Sequence, residues 1–399
     1  MQLQDLPPEL LTHIFSFACT DTGATGRSLS QVSRYIRNTS ATVKLQSVAL
    51  LGRQQFLKFA TFLTSNDMSN IPYTRYLYIG GQESESELNE ILSAKREGYA
   101  AANAKAIAFA KANPGRKHAQ QLQLLRDEAQ LILDASGSAM RLFGRDAARA
   151  VFAILRHVAP TLEVLYIHVN EYVTRELNES GLELPRLVDL TTCTGFPLIQ
   201  PQPSRSGRVE CALVPCPTLR RLHIVETNEM WCDTSTFLGA QGITHFAPNL
   251  VSLRLSELGQ DEDTAVDVAS SMRFDIGVPG IARQSIVPLP ENVEQVVLKP
   301  TSEPDPECCD GYDETYIYHD LVRYARRLAQ KSERVVLLQA DKEAPERDYL
   351  LREWLDKANG RLWMWDVKDS LGIIVIHLSA ISRDGHKSVM KGIYYTIVF

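Results

Sequence analysis

Two stretches carry residue types whose spacing could do chemistry: the triplet Asp21-Thr22-Gly23 and the cluster Cys308-Cys309-Asp310-Gly311-Tyr312-Asp313-Glu314. Aspartic proteolysis needs two carboxylates that share one proton. No second Asp-Thr-Gly or Asp-Ser-Gly occurs, and Asp21 falls in a loop between two short helical patterns. The later cluster lacks the alternating oxygen donors and distant glutamate of a calcium loop, so it reads as a solvated acidic loop. Seven cysteines (19, 193, 211, 216, 232, 308 and 309) form no Cys-x-x-Cys pair. Free thiols in a reducing compartment are expected, without a metal site. The nine histidines are scattered. His168 and His223 fall at strand positions expected to face outward, with no nucleophile or matched carboxylate beside them. Nucleophile-elbow, zinc-protease, phosphate-loop and dinucleotide-binding signatures are all missing. The chain reads as a non-enzyme that needs no cofactor.

Composition narrows the partners. The 399 residues are 44% hydrophobic and 23% charged, with a net charge of −6. These fractions suit a globular chain with a sizeable core. The acidic balance argues against nucleic acid or an anionic membrane as partner. The first residues carry Asp5, Glu9 and Pro7-Pro8 rather than a basic segment, so no secretory leader is expected. The longest apolar run, Leu371 to Leu378, is too short to span a bilayer. A cytoplasmic or nuclear location follows, in which the sequons at Asn38 and Asn178 stay unglycosylated.

The elements that must position any site divide the chain in two. Residues 1–45 read as two short helices. The first, with Leu6, Leu10, Leu11, Ile14 and Phe15 at helical spacing, has Asp5 as expected N-cap. The second places Leu29, Val32 and Ile36 on one stripe behind Ser28. Residues 46–399 read as an irregular α/β body. A helical insert at about residues 84–158 is expected as three helices, the first rich in alanine, with breaks after Ala112 and Asp134. Helices are also expected at residues 320–331 and 346–357, and two strands in the C-terminal tail.

One phrase recurs through the body. "APTLEVLYI", "LPRLVDLTT", "CPTLRRLHI", "APNLVSLRL" and "LPENVEQVVL" each set a proline before three positions, the last two in strand alternation, that are apolar throughout except for Thr192 in the second phrase. "IPYTRYLYI" is a degenerate early copy and "SERVVLLQA" a degenerate late one. A fixed phrase with variable spacers predicts leucine-rich-like repeats whose strands stack in parallel. A doubly wound sheet is the competing arrangement. By the repeat frame Tyr78, Tyr166, Thr191, His223 and Arg254 face away from the core and line up as a candidate substrate-binding surface. Trp231 sits in an extended spacer, as a further binding residue or as a plug between spacers.

The opening stretch "LPPELLTHIFSF", a loop, then "RSLSQVSRYIRNTS" resembles the F-box motif, which starts with Leu-Pro and closes on a Val-Ser-Arg helix. The likeness covers residues 3 to about 50. It departs at Ile36, where the family commonly has tryptophan. The resemblance implies an F-box protein of the fungal type: a helical F-box followed by irregular leucine-rich-like repeats. It implies docking of a Skp-family adaptor through Leu6, Pro7, Leu10, Leu11, Ile14, Phe15, Leu29, Val32, Ser33 and Ile36. The adaptor would join a cullin–RING scaffold, and the repeats would hold a protein substrate for ubiquitin transfer. Two short helices with this much apolar surface need a partner on physical grounds too, or else they cap the first repeat. A repeat-type scaffold outside any ligase, and more remotely an enzyme on an α/β body, are the alternatives.

Overall fold

A computed structural model describes residues 6–65, 73–81, 85–114, 118–169, 173–174, 177, 181–193, 196–198, 214–226, 234–259, 261, 263–278, 286–304, 312–340 and 349–361. Trp231 and the expected tail strands lie outside them. The chain is mixed α/β, with one all-parallel sheet of eight strands and, among the described residues, eleven helices. In chain order these are α1 (Pro8–Ala18), α2 (Ala24–Val32), α3 (Arg34–Thr39), β1 (Ser47–Leu51), α4 (Arg53–Ser65), β2 (Tyr76–Gly80), α5 (Glu85–Ala112), α6 (Ala119–Val158), β3 (Val164–His168), β4 (Asp189–Thr192), β5 (Arg221–Val225), α7 (Thr234–Phe237), α8 (Ile243–Phe246), β6 (Ser252–Leu258), α9 (Thr264–Ser271), β7 (Gln295–Pro300), α10 (Tyr312–Lys331), β8 (Val335–Leu337) and α11 (Tyr349–Ala358).

The strands lie in sequence order from β1 to β8. A doubly wound sheet reverses its order at a switch point, and this one does not. The recurring phrase, with its two degenerate copies, supplies β2 to β8. Leu77, Leu165, Leu190, Leu222, Leu253, Val296 and Val335 are paired neighbours in one row. The first apolar position of each phrase is equally enclosed, at Leu162, Leu187, Leu219, Leu250 and Val293. The proline falls in a turn just ahead of the strand, and the backbone repeats one bonding pattern there. The carbonyl of Glu163 accepts the amides of Val188 and Asp189, that of Val188 accepts Arg220 and Arg221, and that of Arg220 accepts Val251 and Ser252. Each phrase is thereby clamped to the next before pairing begins.

One face of the sheet is the main core. Leu, Ile and Val from every strand meet Phe56, Ala60 and Leu63 of α4, Val151, Ile154, Leu155 and Val158 of α6, Ala265, Val268 and Ala269 of α9, and Leu321, Ala325 and Leu328 of α10. The insert is a hairpin of two long helices. The backbone runs as helix through Asp134, Ala135, Ser136 and Gly137, where the sequence had suggested a break. The acidic cluster is corrected in part, since Tyr312, Asp313 and Glu314 open α10 instead of lying in a loop.

Candidate functional site

The N-terminal unit is built on Leu11, Phe15, Ile36 and Val43, with Leu6 and Leu29 packed beside them. It has three helices where two were expected. Ser33 takes an extended conformation (φ −160°, ψ 166°), ends α2, and accepts the Ile36 amide at 3.2 Å as N-cap of α3. Extended geometry at the cap and a serine oxygen on the third amide are what start a helix. Ile36 therefore points inward, at 2% exposure, and leaves the stripe of Leu29 and Val32.

Asp21 has a structural role. Its carboxylate accepts the amides of Gly23 and Thr25, both at 2.9 Å, and the Thr25 hydroxyl at 2.7 Å. It ties down the first turn of α2, whose N-cap residue Gly23 is left-handed (φ 92°). Ser28, the expected cap, lies inside α2, and Asp5 lies outside the described residues. The same loop covers the outer edge of β1, where Ala49 donates to the Thr22 carbonyl and Ser47 donates to that of Asp21. Burial, and then the Asp21 charge, push the nearby Cys19 thiol up to about 11.

The ten adaptor-docking positions divide by burial. Leu11, Phe15 and Ile36 are core, which corrects their placement on the docking surface. Leu6, Leu29 and Ser33 are half-buried, and Pro7, Leu10, Ile14 and Val32 are exposed. Leu10 and Ile14 are about half exposed and Val32 is 68% exposed. Phe17, omitted from the docking set, continues the Leu10–Ile14 spacing at 70% exposure, with His13 edge-on at 4.8 Å. Four large apolar side chains are thus uncovered on a small unit, three of them at helical spacing on α1, and uncovered apolar surface of this kind marks a partner site.

The candidate substrate-binding residues form a second site. Tyr78, Tyr166, Thr191, His223 and Arg254 are consecutive partners in one row across β2 to β6. Flanking rows on that face carry Asp189 and Arg221 on one side, and Cys193, Ser256 and Lys299 on the other. The alternation predicted this grouping, but the expected openness is corrected: each of the five is 5% exposed or less. The cover is α11. Trp354 is fully enclosed against Tyr78 (ring centroids 5.7 Å apart), and Tyr78 stacks on Tyr166 at 6.1 Å. Leu350 joins the same cluster.

Charges cross this interface. Arg254 and Glu353 pair at 2.7 Å, with both side chains nearly enclosed. Asp189 takes Arg221 at 2.7 Å and the Lys357 ammonium. Lys357 also lies over the Tyr166 ring, 5.1 Å from its centroid. Burial pushes Lys357 down to about 8 in spite of Asp189, and burial raises Glu353 in spite of Arg254 and Lys357. Burial, then the charges of Arg254, Lys357 and Lys299, hold His223 well below the usual histidine value. Its Nε2 sits in hydrogen-bond contact with Ser256 Oγ. His223 is fully enclosed in this arrangement.

The sequence reading missed α11 as part of the site. Its signal was present in Leu350, Trp354 and Ala358 at i, i+4 and i+8, and in Glu353 and Lys357 at i and i+4. What the helix would cover was not. Among the described residues no group of three or more His, Cys, Asp or Glu side chains is placed to hold a metal, and no helix is long and apolar enough to cross a membrane. No family model, curated protein or solved structure matches the chain.

Proposed function

We propose that this chain is the non-catalytic substrate-recognition subunit of a Skp–cullin–F-box E3 ubiquitin ligase. The single observation that carries the reading is the exposure of Leu10, Ile14 and Val32, three of the positions at which the chain resembles an F-box. An adaptor helix or groove would complete the apolar face that α1 and α2 leave open. The sequential parallel sheet supports the finer proposal that the body is an irregular leucine-rich-repeat-like solenoid, with residues 1–45 as the F-box unit. The cytoplasm or nucleus is the compartment this role requires.

The test is capture of a purified Skp-family adaptor by the full chain. Wild type binds, and Leu10→Asp with Ile14→Lys binds at least ~100-fold more weakly, because charges replace about 3 kcal/mol of apolar burial. Both side chains are solvent-facing, so circular dichroism stays unchanged. Equal binding by the double variant sinks the docking assignment. Adaptor binding without cullin recruitment in a reconstitution identifies a scaffold outside the ligase.

A further inference from the structure

The two faces of the sheet are covered by helices in different ways. Helices α4, α6, α9 and α10 meet the first face with alanine, leucine, isoleucine, valine and phenylalanine against the same kinds of side chain. On the second face, α11 packs in a cluster with Ala49, Tyr78, Val164, Tyr166, Cys193 and Val225 and pairs with Arg254 and Asp189, and the same face carries Arg221, His223, Ser256 and Lys299. A face meant only to be buried gains little from such residues. Burying an ion pair costs desolvation of both charges, and the pairing returns that cost incompletely.

The polar groups also keep partners inside the sheet. Asp189 has Arg221, His223 has Ser256, and Lys299 lies 3.9 Å from Glu257. The stacked pair Tyr78 and Tyr166 belongs to the sheet as well. Removing α11 would take Glu353 from Arg254 and Lys357 from Asp189, and would leave the pairs Asp189–Arg221, His223–Ser256 and Lys299–Glu257 in place. Removing α6 would take Val151, Ile154, Leu155 and Val158 out of the apolar core.

We infer that this polar face is a docking groove for one amphipathic helix of a partner protein, and that α11 is a built-in occupant that such a helix displaces. The inference rests on reading the chain as a substrate receptor. The groove dictates the helix's chemistry. An aromatic anchor fills the recess beside Tyr78 and Tyr166, as Trp354 does. A carboxylate one residue earlier meets Arg254, as Glu353 does. An ammonium three residues after the anchor meets Asp189 over the Tyr166 ring, as Lys357 does. A leucine four residues before the anchor completes the apolar edge, as Leu350 does. The pattern is Leu-x-x-Glu-Trp-x-x-Lys, with both charges complementary to the face.

Cys193 reports the state of the groove, since it lies on that face and packs in the cluster with Leu350 and Trp354. The probe is a fluorescent peptide with the sequence of residues Tyr349–Arg361, added to the full-length chain. Trp354→Ala is expected to speed Cys193 alkylation, read by peptide mass spectrometry, at least ~tenfold through opening of the helix. The same variant is expected to bind the peptide at least ~tenfold more tightly than wild type, because its own occupant competes less. Bound peptide restores Cys193 protection. A peptide with Glu353→Arg fails on this variant and binds the chain that carries Arg254→Glu as well.

Three outcomes overturn the inference: opening of Cys193 without peptide binding, a protected Cys193 in both Trp354→Ala and the second variant Glu353→Arg, or loss of sheet signal by circular dichroism in both. All readouts use the chain without adaptor. Their failure leaves the docking role of Leu10 and Ile14 standing, and failure of adaptor capture leaves helix exchange intact.

Discussion

Gly26 sits where α2 passes over the backbone of Lys44, and a Cβ there would lie 1.9 Å from the Lys44 carbonyl oxygen. Neither backbone can yield cheaply, because Asp21 caps one side and β1 begins on the other. Gly26→Ala is therefore expected to destabilise the N-terminal unit by about 2 kcal/mol, measured by thermal unfolding, and to weaken adaptor capture with it. His223 gives a pH prediction. Its folded state holds the neutral ring, facing Arg254 from β6, Lys299 from β7 and Lys357 from α11. The unfolded chain takes up a proton as pH falls through 6.5, and the folded chain does not. Stability present above pH 6.5 is thus lost progressively toward acid. Denaturant titrations at neutral and mildly acidic pH are expected to show that fall, and His223→Gln is expected to make it shallower. At this scale the sequence was legible in part. Alternation placed Tyr78, Tyr166, Thr191, His223 and Arg254 in one row, because a period of two depends only on neighbours along the chain. Trp354 packs on Tyr78 and Glu353 pairs with Arg254 from about 100 residues or more further on, and no local pattern carries that.

The elements differ in how directly their sequence specified them. Each proline-led phrase became a turn and a strand, because the turn, the clamp to the next phrase and the apolar row all use the same few residues. The break between α2 and α3 was missed because Leu29, Val32 and Ile36 keep helical spacing across it. Ser33 won locally by capping α3 with its own hydroxyl. In the insert the opposite happened, and Asp134 to Gly137 stayed helical inside a 40-residue helix. Helix α5 packs on α6 mostly through alanines, with Ala102 and Ala106 on one and Leu125 and Ala129 on the other being buried. Alanine permits close approach at the cost of a thin apolar seam. Ala106→Leu is expected to wedge the hairpin open and cost about 1–3 kcal/mol locally. Hydrogen exchange would then speed up in residues 85–131 and stay unchanged in the strands. Equal protection along α5 in wild type and variant would show that the seam is looser than described.

At the scale of the molecule, one sheet carries two unlike contacts, and neighbouring residues on one strand can separate them. Leu253 and Arg254 are adjacent on β6 and point to opposite faces, and both are essentially unexposed. Leu253 stands in the apolar row between Leu222 and Val296, where every strand leans on the next. Leu253→Ala leaves a cavity in a stack that cannot close without moving several strands, and is expected to cost about 3 kcal/mol of global stability. Arg254→Met keeps the bulk of the side chain and removes the charge that faces Glu353. That carboxylate is left enclosed without its guanidinium, and α11 is the element that bears the penalty. The variant is expected to shift the global transition by less than ~1 kcal/mol, since the sheet keeps its own pairings. Amides of residues 349–358 would exchange faster, and those of β3 to β7 would not. If Arg254→Met instead lowers the protection of β5 and β7 as much as Leu253→Ala does, the two faces are one cooperative core and α11 belongs to it.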